Sequence, residues 1–352
     1  MPKALSTLAD YENAKTQLID SVGSRTDVVT FWQYGEVTQP GVSDLDLIAI
    51  VKDNPEADLK DFLHKERLPI AVCEAMAHAN LIILPESSAN GAFYWDDIRC
   101  KDIKTGWAIS TPQVPQTFLK VAMLVDWFFE RTLRIYSLRN SCLEKPQHTL
   151  GLLKSYCYSL DNFFELSKLV VDSEYVELKT QLLTIRTKWQ RLDPKSRLRE
   201  LSLLFFGFYI LARQLHQQVF TWFERGGHYP NWNGYTGAVR FIIPDGNIYE
   251  FVDTFEKEIQ YLSAKPIVLL PRNLLHHFLL YSQPERALGS KLEKSFSGPN
   301  IVDIKAGLNM VGEYASFLRE RIDFAADWHD YLKRHGFDYG LFKYGWYIKD
   351  HL

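Results

Sequence analysis

Cysteine is scarce. The 352 residues hold four, Cys73, Cys100, Cys142 and Cys157, with no C-x-x-C pair and no metal-ligand spacing among them. That excludes a disulfide scaffold and a zinc ribbon, leaves small-residue packing as the ordinary role of these thiols, and fits a reducing cytoplasm. Long apolar runs are missing too. The longest, Leu201–Ala212, is bracketed by Arg199, Glu200 and Arg213, well short of the roughly 20 residues that a membrane span needs. It reads as a buried core helix. The opening stretch, MPKALSTLADYENAK, has no apolar stretch behind its lysine, so no secretory signal is expected. Charge of one sign is also lacking, since the net charge of −3 carries no general signature of a nucleic-acid binder. No repeat recurs at a period of about 20–50 residues, which excludes a solenoid.

What is present is globular: 46% hydrophobic, 24% charged and 14% aromatic residues. At roughly 100–200 residues per domain the length suggests two domains, each able to bury a core. Residues 1–112 carry 10 basic against 17 acidic side chains, a net of −7, while the remainder has a net of +4. An acidic first part suits a divalent metal better than a bare polyanion.

The texture also changes near residue 112. Before it, helical spacing at 7–22 is followed by strand-like runs at 28–34, 45–51, 69–74 and 80–84, with a helix expected from about 53 to 67. Strands alternating with helices imply an α/β (α+β) mixed sheet. After Pro112 and Pro115 the helical period dominates, at about 116–140, 148–171, 174–190 and 196–224, then 248–263, 271–282, 300–323 and 325–335. The expectation is a small domain over 1–112 and a larger all-α domain over 113–352, divided near 226–247 by a glycine- and aromatic-rich stretch. That stretch holds His228, Tyr229, Trp232 and Tyr235, which suit stacking on a base or sugar as well as loop packing. His276–His277 are adjacent, so on a helix their rings diverge by about 100° and share no metal easily. The Trp127–Phe129 stripe reads as core.

One segment carries chemistry: FWQYGEVTQPGVSDLDLIAIV, residues 31–51. A strand ends at Tyr34, and Gly35 opens a turn. Asp44 and Asp46 follow at i and i+2 of a second strand, so both point to one face. Two carboxylates there repel unless a positive charge lies between them. Their neighbours Leu45, Leu47, Ile48 and Ile50 put them at the end of a core strand. Magnesium is commonly held by one or two carboxylates plus substrate phosphates. Gly35 matters because backbone amides approach a polyphosphate most closely where no side chain intervenes.

Tyr34-Gly35 followed by Ser43-Asp44-Leu45-Asp46-Leu47 resembles the signature of the DNA polymerase β-like nucleotidyltransferase superfamily, over roughly the first 110 residues. The resemblance implies a nucleotidyltransferase-like fold. It also implies transfer of a nucleoside monophosphate from an NTP to a hydroxyl of a small-molecule or protein acceptor. Asp44 and Asp46 would be metal ligands for Mg²⁺ or Mn²⁺, and Gly35, Glu36 and Ser43 would border the nucleotide. Two positions depart from the pattern: Glu36 stands where the family has Ser or Gly, and Asn80 offers no carboxylate on the later strand. Glu74 is the substitute chosen for the third acid, ahead of Glu86 and Asp96–Asp97. The departures motivate a second reading, a nucleotidyltransferase fold that binds or scaffolds without turnover. A third, a template-independent RNA-end polymerase, needs a basic track, and only Lys195–Arg199 and Arg131–Arg139 are clustered. Nucleic acid and membrane are therefore not the expected partners.

Overall fold

The computed structural model describes residues 7–76, 81–94, 100–105, 115–138 and 142–225. It also describes strands at 239–242, 248–252 and 267–271, and positions 317, 320, 324, 327, 328, 331, 332 and 334–337. The chain divides into two compact units. The first takes in Met1–Leu119, Arg186–Asp193 and Asp323–Leu341; the second takes in Lys120–Ile185, Pro194–Ile322 and Phe342–Leu352.

In the first unit, α1 (Leu8–Val22) starts at a reciprocal cap in which the Thr7 hydroxyl accepts from the Asp10 amide and the Asp10 carboxylate accepts from the Thr7 amide. Its buried stripe is Tyr11, Ala14, Lys15, Leu18 and Val22. β1 (Val28–Tyr34) pairs antiparallel with β2 (Asp46–Val51), which pairs in parallel with β3 (Ile82–Pro85). A short strand, β4 (Cys100–Asp102), lies antiparallel on the other side of β1, so the order is β3-β2-β1-β4. The sheet is mixed, as the alternating pattern implies. From Leu47 to Val51 every β2 residue is buried, because this central strand is covered on both faces.

Two local expectations fail. Residues 69–74 form a helix, α3 (Ile70–Met76), in place of a strand. The Pro69 carbonyl accepts from the Val72 and Cys73 amides, and Val72, Ala75 and Met76 bury one helical face. The short apolar run fits either period, and a helix was what the tertiary packing favoured. The helix expected over 53–67 shrinks to α2 (Lys60–Leu63) and a 3₁₀ turn at Lys65–Arg67. The cause is tertiary: the Asp27 carboxylate accepts hydrogen bonds from the Glu56 and Ala57 amides, and Asp53 accepts from the Ser87 amide and hydroxyl, which holds this stretch in a non-helical path.

The second unit is largely helical. α4 (Gln116–Ser137) begins in the first unit and continues here, followed by α5 (Pro146–Ser167), α6 (Ser173–Lys188) and α7 (Pro194–Arg225). The last turn of α6 and the 3₁₀ turn Trp189–Arg191 belong to the first unit. Phe128 stacks on Tyr156 at 5.6 Å, and Tyr156 meets Phe208 edge-on at 6.4 Å. Trp127 and Phe128 are core residues, as expected.

The all-α expectation for 113–352 needs correction. Val239–Ile242, Ile248–Val252 and Ile267–Pro271 form β5, β6 and β7, a three-stranded sheet in that order. Ile-Tyr-Glu-Phe-Val at 248–252 alternates and is rich in strand-forming side chains, and pairing on both sides overrides the helical period seen there. The Leu201–Ala212 run is also not buried all round: Leu204, Phe205 and Phe208 are inside, but Leu203 and Phe206 are 65% and 62% exposed. Among the described residues no helix is long and apolar enough to cross a membrane. The expected features at 226–237, 271–282 and His276–His277 lie outside the described residues, apart from Pro271 in β7.

Candidate functional site

The expected site is a strand–turn–strand, and the register defines its faces. Tyr34 pairs with Asp46, Trp32 with Ile48, and Gln33 with Leu47. Directly paired residues share a face. Asp46, the first residue of β2, therefore lies on the face of Tyr34 and Trp32. Asp44, expected inside this strand, instead lies two residues before it, outside the paired register. Both aspartates are half-buried. Gln33 and Leu47 belong to the opposite face, where the Lys15 side chain of α1 bonds Gln33.

Between the two strands the chain makes a compact loop. Gly35 has φ 69° and Gly41 φ 78°, in the left-handed region that favours glycine. Inside the loop, Ser43 donates its amide to the Gln39 carbonyl at 2.8 Å, and the Gln39 amide returns a bond to the Ser43 hydroxyl at 3.2 Å. The Tyr11 hydroxyl ties the loop to α1. It donates to the Ser43 carbonyl at 2.7 Å and accepts from the Gly41 amide at 3.0 Å. Burial pushes the Tyr11 phenol above its ordinary value; the bond from Gly41 opposes this, and the negative charge of Asp44 adds to it. Tyr11→Phe removes both bonds and takes the buried donor from the Ser43 carbonyl. It is expected to cost about 1–3 kcal/mol in urea unfolding, with the slope against urea unchanged.

A later segment closes the other side of the loop. The Arg186 guanidinium, 4% exposed, donates to the Gln39 side-chain carbonyl at 2.8 Å and reaches the Ser43 hydroxyl at 3.5 Å. Gln39 donates to Thr187, and Gln190 donates to the Pro40 carbonyl at 3.0 Å. The turn leading into Asp44 is thus held from Tyr11 on one side and Arg186–Gln190 on the other.

The proposed site residues do not all converge. Gly35 and Glu36 line a cavity of about 390 Å³ together with Glu12, Lys15, Gln33 and Lys101. Glu36 is exposed there. Neither Asp44 nor Asp46 lines that cavity, although Leu45 between them does. Ser43 is 8% exposed, and its hydroxyl and carbonyl are engaged in holding the loop. Glu74 is half-buried on α3, not on a strand. Its neighbour Ala75 accepts the Leu45 amide at 2.8 Å, so α3 is braced against the chain entering β2. Glu86 is exposed at the start of the 3₁₀ turn Glu86–Tyr94, and Asn80 and Asp96–Asp97 lie outside the described residues. Among the described residues no group of three or more His, Cys, Asp or Glu is arranged to hold a metal ion. The donor set on the page is a carboxylate pair. That suffices for magnesium only where substrate phosphates and water complete the shell.

Two residues escaped sequence reasoning. Arg186 lies about 140 positions from the loop it holds, and nothing near it in the chain marks it. Lys15 left a faint signal, a charge inside the apolar stripe of Tyr11, Ala14 and Leu18. Comparison with protein-family models, curated proteins and solved structures finds no match. The site must be read from its own chemistry.

Proposed function

We propose that the first unit is a nucleotidyltransferase-like domain. It moves a nucleoside monophosphate from an NTP to a hydroxyl of a small molecule or protein. The observation that carries this reading is the half-buried pair Asp44 and Asp46 at the entrance of a core strand, behind a left-handed glycine turn braced on both sides.

In this reading Asp44 and Asp46 hold the divalent cation, which when bound neutralises phosphate charge as the leaving group departs. The acceptor oxygen bonds to the α-phosphorus, the bond from that phosphorus to the bridging oxygen breaks, and pyrophosphate leaves with the electron pair. The backbone at Gly35 is open to a polyphosphate, since no atom lies within 4 Å of where a Cβ would stand. Tyr11 and Arg186 hold the turn and touch no substrate. Glu74, on the helix whose Ala75 carbonyl accepts the Leu45 amide, is the group proposed to accept the hydroxyl proton. Pyrophosphate release with each of the four NTPs, comparing the native chain with Asp44→Ala, tests the proposal. A magnesium-dependent signal at least tenfold lower in the variant is expected, and equal signals would sink it.

A second reading has an observation of its own. No third acid joins the aspartate pair among the described residues, which favours a domain that binds nucleotide without turning it over. Magnesium-dependent NTP binding without any product on an acceptor, by mass spectrometry, would select it.

A further inference from the structure

We propose that the cavity between α1 and the β1–β4 edge of the sheet binds a small zwitterion, an α-amino acid with an apolar side chain. The aspartate pair does not line this cavity, although Gly35 and Glu36 border both, and the proposal is tested without nucleotide so that it stands apart from the transfer reading.

The lining sets the ligand's charge. Lys15 and Lys101 are balanced by Glu12 and Glu36, so the wall carries both signs and no formal net charge. A polyphosphate approaching Gly35 here needs a divalent cation to offset Glu12 and Glu36; without one, a molecule with one carboxylate and one ammonium meets a partner for each. At about 390 Å³ the space lies in the range of small-molecule sites.

Lys15 is the built part of the site. Its side chain is 11% exposed, and its ammonium donates to Glu12 at 2.6 Å and to Gln33 at 2.9 Å. An ammonium has three donors, so one is left for a ligand. A cation this far from water is costly unless well paired, and a carboxylate in the cavity would complete its shell. Gln33 is fixed in turn, because its amide nitrogen donates to the Gly35 carbonyl at 3.1 Å. Lys101 is the direct cross-strand neighbour of Gln33, which brings a second ammonium to the same face. The carboxylate end therefore belongs at Lys15 and Lys101. Glu36, exposed just past Gly35, is the acid free to take the ligand's ammonium, since Glu12 is already bonded to Lys15. Leu8 and Val37 supply apolar surface for the ligand's side chain.

Calorimetric titration of the full chain with L-leucine, L-methionine and L-phenylalanine at millimolar concentrations, without nucleotide or metal, tests the proposal. N-acetyl-L-leucine, which lacks the ammonium, and L-leucinamide, which lacks the carboxylate, are the controls. Saturable binding of at least one amino acid is expected, with both controls at least tenfold weaker than leucine. Lys101→Met and Glu36→Gln change exposed residues and leave folding intact; each is expected to weaken binding about tenfold by removing a charge-assisted bond. No binding of any of the three would overturn the proposal. So would binding unchanged in both variants, or equal binding of leucine and its two blocked forms. Because no nucleotide is present, these outcomes are independent of whether transfer occurs.

Discussion

Asp44→Asn and Asp46→Asn should each abolish magnesium-dependent triphosphate binding while melting no lower than the native chain. The physical reason is the sheet geometry. Asp46 opens β2 opposite Tyr34, and Asp44 precedes it by two residues. Like charges so placed repel in the absence of a cation, so removing one relieves that repulsion and can raise the metal-free melting point. With one carboxylate gone, the remaining ligand cannot hold the cation at ordinary magnesium concentrations, and magnesium no longer shifts the melting curve in the presence of triphosphate. A structural pair behaves in the opposite way, since losing a carboxylate that caps a turn costs about 0.5–2 kcal/mol. Residues 39–43 are held by bonds with Tyr11, Arg186, Thr187 and Gln190 and between Gln39 and Ser43. Melting curves of the three proteins, with and without magnesium and NTP, separate the two cases. If both variants melt well below the native chain without metal, and magnesium shifts none of them, the pair is structural and the nucleotide site is lost with it.

The elements most legible in the sequence are those whose period and end signals agree. α1 is bounded by the Thr7 cap and Gly23, and β1 occupies Val28–Tyr34 as its apolar run implies. The four long helices from α4 to α7 begin and end within a few residues of their expected bounds. Less legible are the segments where one short apolar run satisfies two periods. Residues 69–74 became a helix packed on α1, about 50 positions earlier in the chain, and 248–252 became a strand by pairing with β5 and β7 close by on either side. Distance along the chain hides the clamp on the candidate site. Asp44, Asp46 and Gly35 announce themselves through local spacing, but the guanidinium that holds their loop comes from residue 186. Lys15 and Lys101 make a cavity wall only once α1 and β4 are laid on either side of Gln33.

Trp328→Ala is expected to cost the first unit about 3–5 kcal/mol, the range for truncating a buried tryptophan. The residue has no exposed surface, and its indole nitrogen donates to the Ile83 carbonyl of β3 at 2.6 Å. Its ring lies 5.6 Å from that of Phe324, which in turn covers Gly91 so closely that a Cβ there would overlap the ring. Tyr331 repeats the attachment one helical turn later, donating to the Lys52 carbonyl beyond the end of β2 at 2.9 Å. The segment around Trp328 is therefore a structural part of the α/β unit, although more than 200 residues separate it from β3. Trp328→Phe keeps most of the packing but leaves the Ile83 carbonyl without its indole donor, which should cost about 1–3 kcal/mol. With native stabilities of about 5–15 kcal/mol, the alanine variant should show the first unit unfolding at distinctly lower urea, ahead of the helical unit, in circular dichroism. The phenylalanine variant should fall between it and the native chain. An alanine variant within about 1 kcal/mol of native would mean that the C-terminal segment is not needed by the sheet. A chain ending near residue 112 lacks Trp328, Tyr331 and Arg186 together, and on the present packing should not fold alone.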